Sequence, residues 1–217
     1  MLHILDKEPS LINNYLRELR DAEIQRDSMR FRRNIERVGE IAAYEISKTL
    51  VTSKTEVKTQ LGTAVIDCPS NKVVLGTVLR AGLPLHQGLL NCFDGAENAF
   101  VSAYRVEDGS NDLSIKVEYI SGPKLEGKVL ILADTMLATG MSMVAAYRAL
   151  VANGGEPVHT HFVSVLGAKQ GVDYLLENTP SDRCSVWVAT VDKELNPMKY
   201  IVPGLGDAGD LCYGEKL

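Results

Sequence analysis

The sequence predicts an α/β fold with a central, mostly parallel sheet flanked by helices, and three observations predict it. Short runs rich in Val, Ile and Leu recur at Val73 to Leu79, Ala99 to Tyr104, Val129 to Ala133, Phe162 to Leu166 and Val186 to Val191. Their apolarity is continuous rather than alternating, which is what strands buried on both faces of a parallel sheet require. Helical patterns separate several of these runs, as crossover connections demand. At 217 residues, 45% apolar and 24% charged, the chain is long enough to bury such a sheet without disulfides. No repeat, low-complexity tract or linker interrupts it, so a single domain over residues 1–217 is expected.

Two amphipathic helices are expected ahead of the sheet, within residues 1–52. Ser10 is a plausible N-cap for the first, whose apolar residues Leu11, Ile12, Tyr15, Leu16 and Leu19 fall at helical spacing. Ile35, Val38, Ile41, Ala42 and Ile46 repeat the pattern. The arginines between them (Arg26, Arg30, Arg32, Arg33 and Arg37) read as a solvated helix face, with an anion site as the rival reading. Residues 55–67 alternate through Val57, Thr59, Leu61 and Val65, with Leu61-Gly62 at the turn, and predict a β-hairpin arm. The stretch from Val106 to Lys128 carries the densest turn signals and predicts either a mobile cover or a surface excursion.

A formal net charge of -5 and a pI near 5.4 argue against a surface built for a nucleic-acid backbone. Cys68, Cys92, Cys184 and Cys212 are widely separated and show no metal-ligand spacing, so they read as reduced thiols. The N-terminus turns polar at Asp6, and no apolar run approaches the ~20 residues of a membrane helix, so a cytoplasmic protein is expected.

The segment from Val129 to Gly154 reads as strand, loop and helix, with Val144, Tyr147, Leu150 and Val151 at helical spacing. Ligands of open parallel sheets bind beyond the carboxyl ends of the strands, where a helix N-terminus offers unpaired N–H groups to a phosphate. Ala138, Thr139, Gly140, Met141 and Ser142 stand there, and Asp134 ends the strand, placed to accept from sugar hydroxyls or hold a hydrated metal. The loop is neither a Walker loop nor a GxGxxG turn. The residues alone leave a second reading open, in which Asp134 and Ser142 merely cap the helix.

The strings DTMLATGMS (Asp134 to Ser142), VLRAGLP (Val78 to Pro84) and YIVPGLGDAGD (Tyr200 to Asp210) resemble the uracil phosphoribosyltransferases, over residues 31–214. The resemblance implies a type I phosphoribosyltransferase-like fold and a reaction in which uracil displaces diphosphate from 5-phosphoribosyl 1-diphosphate, with Mg2+, to make UMP for pyrimidine salvage. It implies that Asp134, Thr135, Met136, Leu137, Ala138, Thr139, Gly140, Met141 and Ser142 hold the ribose 5-phosphate, with Arg80 and Arg105 as donor-binding arginines. Main-chain groups at Ile201, Gly206, Asp207 and Ala208 would read uracil, and Asp207 would also contact the donor through water or metal. Arg80, Asp134 and Asp207 are then the catalytic set, and the metal is carried mainly by donor and water. A homodimer, with the hairpin as contact arm, and a non-proline cis peptide at Arg80-Ala81 are implied in the same way.

The reaction that the resemblance implies would pass through an oxocarbenium-like ribosyl cation, so positioning and charge stabilisation would outweigh a strong base. His86, His159 and His161 are therefore expected in the core or on the surface, and Trp187 in packing. The chain departs from the family at two places: relatives read Asp-Pro where it has Asp134-Thr135, and Gly-Gly where it has Gly140-Met141. A Met forced to positive φ would cost about 1 kcal/mol. These departures, with the altered stretch at 106–128, support the alternative of a related nucleotide-binding or regulatory protein with little catalysis.

Overall fold

The computed structural model describes residues 1–106 and 114–216. In chain order the elements are β1 (Leu2–Ile4), α1 (Leu11–Arg20), α2 (Ser28–Ser47), β2 (Thr52–Lys58), β3 (Thr63–Pro69), β4 (Val73–Leu79), α3 (Gly82–Cys92), β5 (Glu97–Val106) and β6 (Ser114–Ser121). They continue with β7 (Val129–Ala133), β8 (Met136–Leu137), α4 (Met141–Gly154), β9 (His159–Ala168), α5 (Lys169–Glu177), β10 (Cys184–Asp192), β11 (Glu194–Leu195), β12 (Ile201–Val202) and α6 (Ala208–Tyr213).

The main sheet runs in the order β1-β10-β9-β7-β4-β5-β6, with β8 paired beside β9. All its pairings are parallel except that of β5 with β6. This is the mostly parallel sheet flanked by helices that the sequence predicts. The continuous apolar runs are explained by alternation within them. Ile131 points to a core shared with α1, α2 and α3, whereas Leu130 and Leu132 point to one shared with α4 and α5.

The helices form where the pattern places them. Ser10 caps α1, whose Ile12, Leu16 and Leu19 are buried, and the Asp27 carboxylate accepts from Arg30 N–H at the start of α2. Arg30 is bidentate on Glu18 and Arg33 pairs with Glu36, as the helix-face reading expects, whereas Arg32 donates to the Cys212 carbonyl of α6 at 2.6 Å. The arm is an antiparallel hairpin longer than predicted, β2 with β3, in which every residue of β2 is exposed and Leu61 is 100% exposed.

Three parts of the prediction are corrected. Part of the 106–128 stretch is strand β6, and residues 107–113 lie outside the described residues. As an edge strand β6 is covered on one side only. A bulge at Glu118 interrupts its alternation and brings Val117 and Ile120 to the same buried cluster, with Lys116 and Glu118 exposed, so it lacks a continuous apolar signature. Met136 and Leu137, expected in a phosphate loop, pair as β8 with Leu166 and Gly167. The non-proline cis bond joins Leu79 to Arg80, not Arg80 to Ala81. Ala81 already has helical dihedrals as the N-cap of α3, so the chain turns out of the strand one bond earlier.

The histidines and Trp187 are structural. His3 stacks on Trp187 with ring centroids 3.8 Å apart, and the Trp187 indole N–H donates to His161 Nδ1 at 3.1 Å. Burial, reinforced by neighbouring His159 and His3, pushes His161 down to about 3. Its unfolded value is near 6.5, so the unfolded chain binds more protons between the two values. The stability due to neutral His161 is complete above pH ~6.5 and is lost as the pH falls toward ~3. Urea unfolding at pH 7, 6 and 5 is expected to show stability falling with pH, and falling less steeply in His161→Gln; equal slopes would contradict this account.

Candidate active site

Three segments meet beyond the carboxyl ends of β4 and β7. The first leaves β4 at Leu79 and reaches α3 through Arg80 and Ala81; the second leaves β7 at Asp134 and enters α4; the third runs from β12 into α6. They line one cleft of about 520 Å³, whose walls include Arg80, Asp134, Met136, Ala138, Ser142, Ile201, Gly206, Asp207 and Ala208.

The first two segments are fixed to one another by Thr135. Its hydroxyl donates to the Ala81 carbonyl at 2.6 Å, while its own carbonyl accepts from Val165 and Leu166 N–H at 3.1 Å each. Thr135 is fully buried, so its side chain supports the Arg80 turn rather than facing a ligand. Leu137 is equally buried, in the core shared with α4 and α5.

The helix N-terminus is set by Gly140, the N-cap of α4, at φ 79. A Cβ there would lie 2.6 Å from the Gly171 carbonyl at the start of α5, and a Cβ on Gly171 would strike the Ala138 and Leu137 carbonyls at 2.4 and 2.5 Å. The loop and α5 therefore approach as closely as two glycines permit. Met141 begins the helix, and among the described residues the one non-glycine at positive φ is Lys199. The left-handed requirement thus falls on Gly140 alone, and the Gly-to-Met departure carries no backbone penalty. Thr139 and Met141 flank the turn half-buried, without lining the cleft.

Arg80 spans the cleft. Its Nη2 donates to Asp210 Oδ1 at 3.2 Å and to the Gly214 carbonyl at 3.3 Å, while its buried Nε has no partner among the described residues. A buried guanidinium N–H without an acceptor suits an anionic ligand. Asp207 caps α6, its carboxylate accepting from Asp210 N–H at 3.0 Å, and it also lines the cleft. Arg105 lies on β5 opposite Ile115, and its side chain falls outside the described residues. Cys212, on the buried side of α6, is held as a neutral thiol, since burial pushes it up to about 12. His86 is buried, bonded through Nε2 to Asn98 Oδ1 and held low by burial, away from the cleft.

Sequence reasoning misses Lys199, Tyr200 and Lys216, which also line the cleft. Asn196-Pro197 is a turn signal that points to the first two: Asn196 closes the β11-β12 turn by accepting from Tyr200 N–H and Lys199 N–H. Lys216 carries no such signal.

This convergence of motifs agrees with comparison to known proteins. The profile of the uracil phosphoribosyltransferase family matches residues 7–215. The chain belongs to that family. It is 53% identical to the uracil phosphoribosyltransferase of Porphyromonas gingivalis over 213 residues, covering 98% of each chain. It is 38% identical to that of Methanothermobacter thermautotrophicus over 191 residues, covering 87% of this chain and 86% of the relative. A solved structure, the AQ2163 protein of Aquifex aeolicus, superposes with a TM-score of 0.86 at 28% identity, covering 99% and 98% of the two chains. Membership makes this chain a pentosyltransferase with a phosphoribosyltransferase domain. No helix among the described residues is long and apolar enough to cross a membrane.

Two substitutions separate the roles of the neighbouring residues at α4. Gly140→Ala is expected to lower stability by more than about 1 kcal/mol, through left-handed strain and the Gly171 contact. Met141→Gly is expected to cost only about 0.5–1 kcal/mol, through lost helix propensity. Chemical denaturation measures both; a larger loss for Met141→Gly than for Gly140→Ala would refute the assignment of the strained position.

Proposed function

We propose that the cleft makes UMP and diphosphate from uracil and 5-phosphoribosyl 1-diphosphate. The observation that carries the reading is that the Arg80 turn, the α4 N-terminus and the β12-α6 loop share one cleft, giving each part of the substrates its own wall.

The N–H groups opening α4, with the hydroxyl of Ser142, take the 5-phosphate. Asp134, at the end of β7, accepts from the ribose hydroxyls. Arg80 donates to the diphosphate, and its guanidinium balances the charge that grows as the C1′–O bond lengthens. Arg105 serves as the second donor-binding arginine. Uracil lies against the β12-α6 loop, where Ile201, Gly206 and Ala208 offer main-chain donors and acceptors to its edge. Uracil N1 bonds to C1′ as the C1′–O bond to diphosphate breaks, and the N1 proton leaves with the diphosphate. The ribosyl centre is so electron-poor at that point that holding uracil in line matters more than deprotonating it early.

Mg2+ fits the donor set. Asp134 and Asp207 put two carboxylates on the cleft, and among the described residues no cluster of three or more His, Cys, Asp or Glu forms a cage. One or two carboxylates with substrate phosphates is the usual Mg2+ arrangement. When bound, the ion neutralises diphosphate charge and improves it as a leaving group.

Neither departure from the family pattern favours a catalytically weak relative. The Thr135 side chain faces Ala81 and not the cleft, and Met141 begins a helix without positive φ.

Incubation with uracil, the phosphoribosyl donor and Mg2+ is expected to yield UMP by chromatography. EDTA should stop the reaction and excess Mg2+ restore it, while Arg80→Ala should lower kcat by about 10²–10³-fold. Absence of UMP in every condition, or turnover untouched by EDTA, would refute the reading.

The hairpin arm supports a homodimer. A two-stranded ribbon is marginal alone, and this one exposes Val57, Leu61, Val65 and Ile66. Light scattering is expected to give twice the 23.7 kDa chain mass. Leu61→Asp combined with Ile66→Asp should shift the protein to monomer, and a wild-type monomer at working concentration would exclude the arm as a dimer contact.

A further inference from the structure

The loop assigned to uracil is held from behind by an ion pair that does not line the cleft. Arg20, the last residue of α1, sends Nη1 to Asp192 Oδ2 and Nη2 to Asp192 Oδ1, each at 2.8 Å. Asp192 ends β10. The pair also takes both backbone groups of Gly204: Nη1 donates to its carbonyl at 3.1 Å, and its N–H donates to Asp192 Oδ2 at 3.0 Å.

Gly204 admits little else. It is buried with φ 62, and a Cβ would lie 2.1 Å from the Ile201 carbonyl oxygen. The next residue is held from the same side. The Gln25 amide, in the orientation that satisfies it, donates to the Leu205 carbonyl at 2.9 Å and to the Leu19 carbonyl at 3.0 Å. The gripped residues lie between Ile201 and Gly206, both on the cleft.

An exposed ion pair does little, because solvent competes for both partners. Here the Asp192 side chain is 9% exposed and the Arg20 side chain 25%, and the pairing is bidentate. Its further bonds go to the main chain of the one segment that must be placed accurately. A small planar ring read by backbone groups responds to their position, and a misplacement of ~1 Å is enough to cost ~10²-fold in rate.

We infer that the Arg20–Asp192 pair is the positioning device of the pyrimidine-reading loop, fixing Ile201 and Gly206 through Gly204. The inference deepens the proposed function and rests on it. Arg20 and Asp192 are positioning residues and touch no substrate. The rival account is a plain structural tie between α1 and β10, which would affect stability and both substrates alike.

Steady-state kinetics and thermal melts of the full chain separate the two accounts. Arg20→Met and Asp192→Asn are expected to raise KM for uracil roughly 10- to 100-fold while KM for the phosphoribosyl donor stays within about twofold. Arg20→Lys should recover only part of the loss, because an ammonium cannot reproduce the fork. A single variant leaves a charge buried and unpaired, so the decisive protein is Arg20→Met with Asp192→Leu, which removes both charges. It is expected to melt below the wild type, because the buried Gly204 N–H and carbonyl lose their partners, and to show the raised KM for uracil with the KM for the donor unchanged. A wild-type KM for uracil in that double variant, or parallel rises in both KM values, would overturn the inference. If the wild type itself makes no UMP, the functional reading has failed, and that result is visible before any variant is examined.

Discussion

In a parallel sheet covered on both faces, the backbone N–H and C=O groups within the strands are spent on neighbouring strands. Only the connections beyond the strand ends keep groups free for a ligand, and in this sheet those that matter leave the carboxyl ends of β4 and β7. Everything chemical in the molecule follows from that constraint. Arg80 stands one residue past β4, Asp134 one residue past β7, and Asp192 ends β10 directly behind the third loop. The helices on the two faces bury the core, but they also decide how the loops sit. Gly171 of α5 receives the turn before α4, and Arg20 of α1 receives the loop before α6.

The two arginines of this region do opposite work, and their surroundings explain why. Arg80 is about a third exposed, makes long bonds to Asp210 and the Gly214 carbonyl, and keeps a buried Nε without an acceptor among the described residues. Such a pair is weakly held, because solvent competes for both partners. Arg20 is paired by two short parallel bonds and bonded to the main chain as well. The same residue type is therefore held loosely on the cleft in one place and fixed as a strut in the other.

The sequence made the sheet, the hairpin and the three site segments legible because each carries a strong local signal: continuous apolar runs, alternation about a turn, and unusual loop strings. It did not reveal β6, whose one-sided burial gives only an alternation that the bulge interrupts, or α6, whose six residues are too few for a helical period to register. The fate of Thr135 was not legible either. A threonine in a phosphate-loop string reads as a hydroxyl for the ligand, whereas its partner here is the carbonyl of Ala81, 54 positions away in sequence. Local patterns identify which segments bear the chemistry, but which residues within them face inward depends on contacts between segments. Arg20 shows the same limit. It lies in the last turn of an amphipathic helix, where a basic residue is ordinarily read as a surface charge favoured by the helix dipole.

The departures at Thr135 and Met141 show how a family loop changes without losing its form. A proline after Asp134 would fix φ but offer no donor, while Thr135 keeps a backbone N–H and adds a hydroxyl that ties β7 to the Arg80 turn. Met141 lies beyond the one position where left-handed backbone is required, so the glycine that matters is retained at Gly140. Thr135 braces the walls of the cleft, and Met141 continues α4 directly after the Gly140 cap, so the N–H groups at the start of the helix stay in place. Where recognition relies on backbone groups, specificity resides in the braces, and a substitution at a brace acts on the ligand through the position of the loop it holds.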